Sequence, residues 1–209
     1  MGGGYKMPRH LRQQSPSDVY HFINRGINKR RLFRANSDCQ SYYDCLLEFR
    51  DKFRLEILHY CFMRNHTHLL IKSPDLPSLT RFAHALHRKY AKLYSKRHEL
   101  EGVVFHPRSK QLCVAKEDYF SECGRYIERN PVNAGIVNNA EQYIWSSYRF
   151  YAYGREDELV TPSPVYEGLH PERNIKQELY RFYVSQPRDS EKMNLTLYLN
   201  VKRDRVLSY

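Results

Sequence analysis

The sequence predicts an α+β fold in which helices pack on one face of an antiparallel sheet. Three observations carry that prediction. Between residues 18 and 130 the hydrophobic period switches in the order strand, helix, strand, strand, helix, strand, helix. Two alternating runs are separated only by the polar pair Arg64-Asn65, the spacing of a hairpin. A long amphipathic stretch beyond Pro77 has one apolar side, which needs a sheet or helix to cover it.

Residues 18–25 (DVYHFINR) alternate loosely and are β-branched and aromatic, so they read as a strand ending at Gly26. Residues 37–53 set Cys39, Tyr42, Tyr43, Leu46, Leu47 and Phe49 at helical spacing, with Asn36 or Ser37 as N-cap. Residues 54–63 place Leu55, Ile57, His59 and Cys61 on one side of a strand, and 66–72 form its hairpin partner. In the helix that follows, Leu79, Phe82, Ala83, Leu86, Tyr90, Leu93 and Tyr94 share a face, and Arg81, Arg88, Lys89, Lys92, Lys96 and Arg97 occupy the other without an acid among them. Gly102 breaks that helix, 111–115 is a short strand, and 117–130 is a helix closed by Pro131. In a chain of 209 residues this order suggests a ferredoxin-like arrangement. Past Gly154, Pro162, Pro164, Pro171 and Pro187 punctuate the pattern, with one helical stretch at 172–184. Residues 1–7, including the Gly2-Gly3-Gly4 run, read as a flexible lead-in, 8–154 as the main domain, and 155–209 as a C-terminal extension of unknown role.

The formal net charge is +11, and it is concentrated. Lys6, Arg9, Arg12, Arg25, Lys29, Arg30, Arg31 and Arg34 face only Asp18 within the first 35 residues. Such clustering points to a nucleic-acid partner rather than to solubility alone. Eighteen tyrosines and ten phenylalanines offer stacking surfaces as well as core. No apolar run reaches the 18 to 20 residues of a membrane span, and no signal-like apolar region is seen. Five cysteines, none in a C-x-x-C pair, argue against a disulfide framework and a zinc ribbon. The expectation is a reduced, cytoplasmic protein without membrane contact.

Two groups of residues could do chemistry. His66 and His68 lie two apart on a strand, so both imidazoles face one way and could share an ion. A triplet of this kind is also a common structural accident. Tyr126 and Asn130, flanked by Arg125 and Arg129, share a helical face. On spacing alone the favoured reading is that Tyr126 is a half-buried aromatic and Asn130 a helix end before proline. A phenol is a weak nucleophile at neutral pH unless a cation or base assists it.

Taken together, F-M-R-N-H-T-H-L-L-I, R-F-A-H-A-L-H-R-K-Y-A, G-R-Y-I-E-R-N-P-V-N-A-G-I-V and W-S-S-Y-R resemble, in order and spacing, the REP-associated tyrosine transposases. These belong to the single-tyrosine HUH transposases, which are IS200-like. The likeness covers roughly residues 7–154 and implies an HUH endonuclease fold. It implies that His66, His68 and Asn130 bind Mg²⁺ or Mn²⁺, and that Tyr126 is the nucleophile. Thr67 departs from the bulky hydrophobe usual between the histidines. The implied reaction cleaves and rejoins single-stranded hairpin DNA of the repetitive extragenic palindromic (REP) type through a 5′-phosphotyrosine. A monomer using its own tyrosine is favoured over a dimer exchanging tyrosine helices. The cations expected at the DNA are Arg9, Arg12, Arg25, Lys29, Arg30, Arg31, Arg81, Arg88, Lys92, Arg125 and Arg129. Two other readings stay open: a non-catalytic single-stranded nucleic-acid-binding module, and a replication-initiator or relaxase-like nickase. A pure binder would have no need to bring His66, His68, Tyr126 and Asn130 together.

Overall fold

The computed structural model describes residues 13–116 and 118–186. Four strands, β1 (Val19–Arg25), β2 (Glu56–Met63), β3 (His66–Lys72) and β4 (Lys110–Cys113), form one antiparallel sheet in the order β2-β3-β1-β4. The helices are α1 (Asn36–Lys52), α2 (Leu76–His98), α3 (Asp118–Asn133), α4 (Tyr148–Tyr153), α5 (Pro164–Glu167) and α6 (Arg173–Ser185). The antiparallel sheet with its helices is as predicted, but the helices cover both faces rather than the single face expected, because α3 lies opposite α1 and α2. The two-residue Arg64-Asn65 turn sets Met63 opposite His66, as the hairpin spacing requires.

Alternation along the strands decides which layer each side chain joins. Tyr20, Phe22, Leu69 and Ile71 pack with Tyr42 and Leu46 of α1 and Leu79, Phe82 and Leu86 of α2. Val19, Leu70, Leu58, Cys61 and Met63 pack instead with Phe120 and Ile127 of α3. Helices α1 and α2 therefore share one face of the sheet, and α3 lies across the other. The reason is visible in β2 and β3, which bury almost every residue and so need cover on both sides.

The unpaired side of β2 is also covered. Phe62 N donates to Trp145 O (2.9 Å), Ser147 N to Tyr60 O (3.1 Å) and Thr161 N to Ile57 O (2.8 Å). The W-S-S-Y-R run thus closes a sheet edge that would otherwise be open to pairing with another chain. Past Gly154, Tyr166, Leu169, Tyr180, Tyr183 and Val184 enter the larger core, which the weak pattern there did not foretell.

Several element ends differ from expectation. The N-cap of α1 is Ala35, not Asn36 or Ser37, and the backbone amides of Arg34 and Ala35 donate to the Asp38 carboxylate (2.8 and 3.1 Å). Asn36 instead accepts from Trp145 Nε1 (3.0 Å), and Asp38 also holds Arg97 and His98 at the end of α2. β4 is displaced by a residue or two from 111–115. Pro131 does not close α3, which continues to Asn133. Proline leaves the carbonyl four residues back without its helical donor, and Asn130 Nδ2 donates to that Ile127 oxygen (3.2 Å) as well as to Tyr126 O (2.8 Å). The helix continues because a side-chain amide replaces the missing backbone one.

Candidate active site

On the α3 face of the sheet three histidines, His21, His66 and His68, lie together. In the β1–β3 register Arg25 opposes His66, Ile23 opposes His68 and His21 opposes Leu70. His21 and His68 are therefore diagonal neighbours on one face. The His66 and His68 rings lie 4.9 Å apart between centroids, and those of His21 and His68 5.1 Å. Tyr126 of α3 meets both His68 and His21 edge-on, with ring centroids 5.8 Å from each. Its ring is 40 % exposed, so a substrate can reach the phenol from solvent. Asn130 lies one helical turn further along α3, toward the end where Ala134 and His66 line one cavity.

Hydrogen bonds define the two ring nitrogens of His66. Its Nδ1 lies 2.7 Å from Asn65 Oδ1, an acceptor only, so Nδ1 carries the proton and Nε2 keeps its lone pair. His68 Nδ1 lies 2.8 Å from His21 Nε2. Burial pushes His21 down to about 4. Burial, reinforced by His21, His66 and Arg25, pushes His68 down to about 2. Burial and Arg25 lower His66 as well. All three imidazoles are neutral at pH 7, the form a cation requires.

The donor set fits a divalent ion. Among the described residues no group of three His, Cys, Asp and Glu side chains could hold a metal, so the histidine pair would need a ligand of another kind, and the Asn130 oxygen is the one the family resemblance implies. That amide spends its nitrogen on helix carbonyls, which leaves its oxygen as the acceptor. Two imidazoles and an amide oxygen suit Mn²⁺ or Mg²⁺ and would leave positions open for substrate oxygens.

The depressed histidines also predict a pH dependence of stability. A folded-state pKa of about 4 for His21, against the ordinary 6.5, means the unfolded chain binds more protons between those values. Stability is then fully present above about pH 6.5 and falls as pH drops toward 4, by about 3 kcal/mol from His21 alone. Urea midpoints measured in chelator from pH 7.5 to 4.5 check this, and a flat profile would contradict it.

The expected cations separate into groups. Arg25 stands opposite His66, and Lys29, Arg31, Arg64 and Asn65 line the cavity at its open side. Arg25, Lys29 and Arg31 are exposed, whereas Arg30 is only partly so. Arg81, Arg88 and Lys92 are exposed on α2, in the layer across the sheet from Tyr126, and are not brought to the site. Arg9 and Arg12 lie outside the described residues. Arg125 and Arg129 need correction as DNA contacts. Arg125 is buried, and its Nε and Nη2 donate to the carbonyls of Tyr183 and Gln186, while Arg129 Nη1 donates to Val184 O. The C-terminal carbonyls of α6 lack helical donors, and these guanidinium groups satisfy them.

Two features of the site carried no sequence signal. Glu128, fully buried two residues after Tyr126, accepts from Ser147 Oγ (2.7 Å), His59 Nδ1 (3.0 Å) and Tyr180 Oη (2.7 Å). It ties α3 to β2, to the start of α4 and to α6. His59 also passes so close beneath Gly124 that a Cβ there would lie 2.6 Å from its ring. Thr67 faces the opposite core, where its hydroxyl pairs with Tyr42 Oη (3.1 Å), itself bonded by Asn24 Nδ2 (2.9 Å). A threonine between the histidines is thus accommodated by a buried hydroxyl partner.

The chain was compared with known proteins. The sequence profile of the family described as "Transposase IS200 like" matches residues 16–130. A solved structure of the REP-associated tyrosine transposase bound to a REP hairpin superposes with a TM-score of 0.58 at 17 % identity, covering 74 % of this chain and 92 % of the other. The crystal structure of a candidate transposase from Deinococcus radiodurans R1 gives a TM-score of 0.40 at 19 % identity, covering 62 % and 97 %. No curated protein matches the sequence. No helix among the described residues is long and apolar enough to cross a membrane. The profile match spans more than half of the chain, and the first superposition shows the same fold: the protein belongs to the IS200-like transposase family.

Proposed function

We propose that this transposase cleaves and rejoins single-stranded REP-like hairpin DNA through a covalent bond to Tyr126. The observation that carries the reading is the seating of the Tyr126 ring against His68, whose strand neighbour His66 presents a second neutral imidazole. Tyr126 Oη attacks the scissile phosphorus and loses its proton. The bond from phosphorus to the 3′ oxygen breaks, and that oxygen leaves as a free 3′-OH. A later attack by a 3′-OH on the phosphotyrosine restores a phosphodiester and returns the phenol, so the bond energy is conserved without ATP. An Mg²⁺ or Mn²⁺ ion held by His66, His68 and Asn130 would polarise the phosphoryl oxygen and help orient it. Asn65 keeps the His66 Nε2 lone pair available, and Glu128 holds α3 so that the phenol stays above the histidines.

Arg25, Lys29 and Arg31 surround the open side of His66 and suit the phosphates beside the cleavage point. Each phosphate contact on a single strand contributes about 0.7 to the slope of log affinity against log salt. Replacing all three by Ala is therefore expected to flatten that slope by about 2, read by fluorescence anisotropy over a salt series. An unchanged slope would remove these residues from the interface.

The reading is tested by incubating the wild-type chain with labelled hairpins and Mn²⁺ or Mg²⁺, trapping the protein–DNA adduct and locating it by proteolysis and mass spectrometry. The expected adduct is on the peptide carrying Tyr126 and is absent in chelator. An adduct on another residue, or binding without any adduct across hairpins and metals, would overturn it. The second outcome would favour the non-catalytic binding module.

A further inference from the structure

We propose that His21 is a positioning residue for metal binding: its Nε2 accepts the Nδ1 proton of His68 and so fixes His68 in the tautomer that offers Nε2 to the ion. The inference deepens the site reading above and rests on it.

The geometry supplies the argument. His21 Nε2 and His68 Nδ1 are 2.8 Å apart, and both rings are buried, 7 % and 4 % exposed. Only one of the two nitrogens can hold the shared proton. If His21 donated, the neutral His68 would carry its own proton on Nε2, and that nitrogen could not bind a cation. If His68 donates, its Nε2 is free, and His21 takes the tautomer with its proton on Nδ1. The second arrangement matches His66, whose Nδ1 proton is taken by Asn65 Oδ1. The histidines of the pair are then equivalent, each with Nδ1 committed to a protein acceptor and Nε2 open. Metal-bound histidines in general give their second ring proton to such an acceptor, which also fixes the ring plane.

Placement on the sheet makes the contact firm. His21 reaches His68 as a diagonal neighbour within the β1–β3 ladder, so both ends of the hydrogen bond are held by strand backbone. Asn65 by contrast sits in the hairpin turn beside the residue it serves. His21 also meets Tyr126 edge-on, so the same ring braces the histidine and the phenol from below. It belongs to none of the four motifs that carry the family resemblance.

The test uses the full chain with Mn²⁺ alone as probe, titrated by electron paramagnetic resonance, for wild type, His21→Leu, His21→Gln and His68→Ala. His21→Leu is expected to weaken Mn²⁺ binding by about 10- to 100-fold, and His21→Gln, which restores an acceptor oxygen, to recover most of it. Nitrogen-15 spectra of the metal-free protein give a readout that simple loss of packing would not move. They are expected to show His68 protonated on Nδ1 in wild type and shifted toward Nε2 in His21→Leu. If His21→Leu binds Mn²⁺ within about twofold of wild type while His68→Ala has lost it, the role of His21 is overturned and the metal site stands. If wild type and His68→Ala bind alike, both fall together. Should His21→Leu fail to fold, the wild-type spectrum still decides, because a proton on His68 Nε2 contradicts the proposal.

Discussion

A Tyr126→Phe variant is expected to bind a REP-like hairpin within about twofold of wild type, to form no covalent adduct, and to cut no faster than background. The change removes one hydroxyl oxygen and keeps the ring, so the edge-on contacts with His68 and His21 persist and α3 stays seated. The phosphate contacts proposed for Arg25, Lys29 and Arg31 do not involve the phenol. The proposed nucleophile, however, has no substitute in the histidine cluster. Loss of a covalent nucleophile costs about 10⁴-fold or more where the rest of the site survives. Denaturing gels of the labelled strand, run beside anisotropy measurements on the same oligonucleotide, separate the two effects. Cleavage retained in the variant would show that another group attacks, and lost hairpin affinity would show that the hydroxyl serves recognition.

Glu128→Ala is expected to lower stability by about 3–5 kcal/mol, a large share of the 5–15 kcal/mol typical of a domain. Three donors converge on this carboxyl group from three separate elements, and none of them can turn to water when it is gone. Tyr180 and His59 would each be left with an unpaired polar atom beside a new cavity, while Ser147 Oγ would keep only its contacts with the Tyr60 backbone. Glu128→Gln keeps the shape and one acceptor oxygen and should cost less. Urea unfolding gives both numbers. A loss below about 1 kcal/mol for the alanine variant would mean that water or a rearranged partner replaces the carboxyl. Where Glu128→Gln remains folded, its adduct yield reports how far the catalytic helix has shifted.

What was legible in the sequence follows from the range of the physics involved. The strands β1 to β3 and the helices α1 and α2 could be read because local periodicity and the covering core agree on the same faces. Strand and helix period put His66 with His68 and Tyr126 with Asn130 on common faces, but only the family resemblance singled these residues out as a site. His21 could not be seen this way. It is a lone histidine in an apolar strand, and its partner is 47 residues distant and fixed by sheet register. Once Arg25 is aligned with His66, the diagonal contact follows. Arg125 and Arg129 misled for a related reason. Charge is written in the sequence, but the α6 carbonyls that absorb these guanidinium groups are more than 50 residues away. Glu128 carried no signal, since nothing nearby in the sequence announces that Tyr180 will cover it.

The bond from Asn130 Nδ2 to the carbonyl that Pro131 leaves free restricts which amino acids can occupy this position. Aspartate would supply oxygen toward the histidines, yet it has no hydrogen to give Ile127 and would set a negative charge against carbonyl dipoles at the tail of a helix. Alanine would forfeit both duties. Glutamine has the same amide, with a longer stem that must fold back on itself to reach the backbone. If Asn130 holds the ion as proposed, the proline makes the choice of residue there a matter of helix repair as much as of metal chemistry, and Pro131→Ala would release the side chain from half of its obligation.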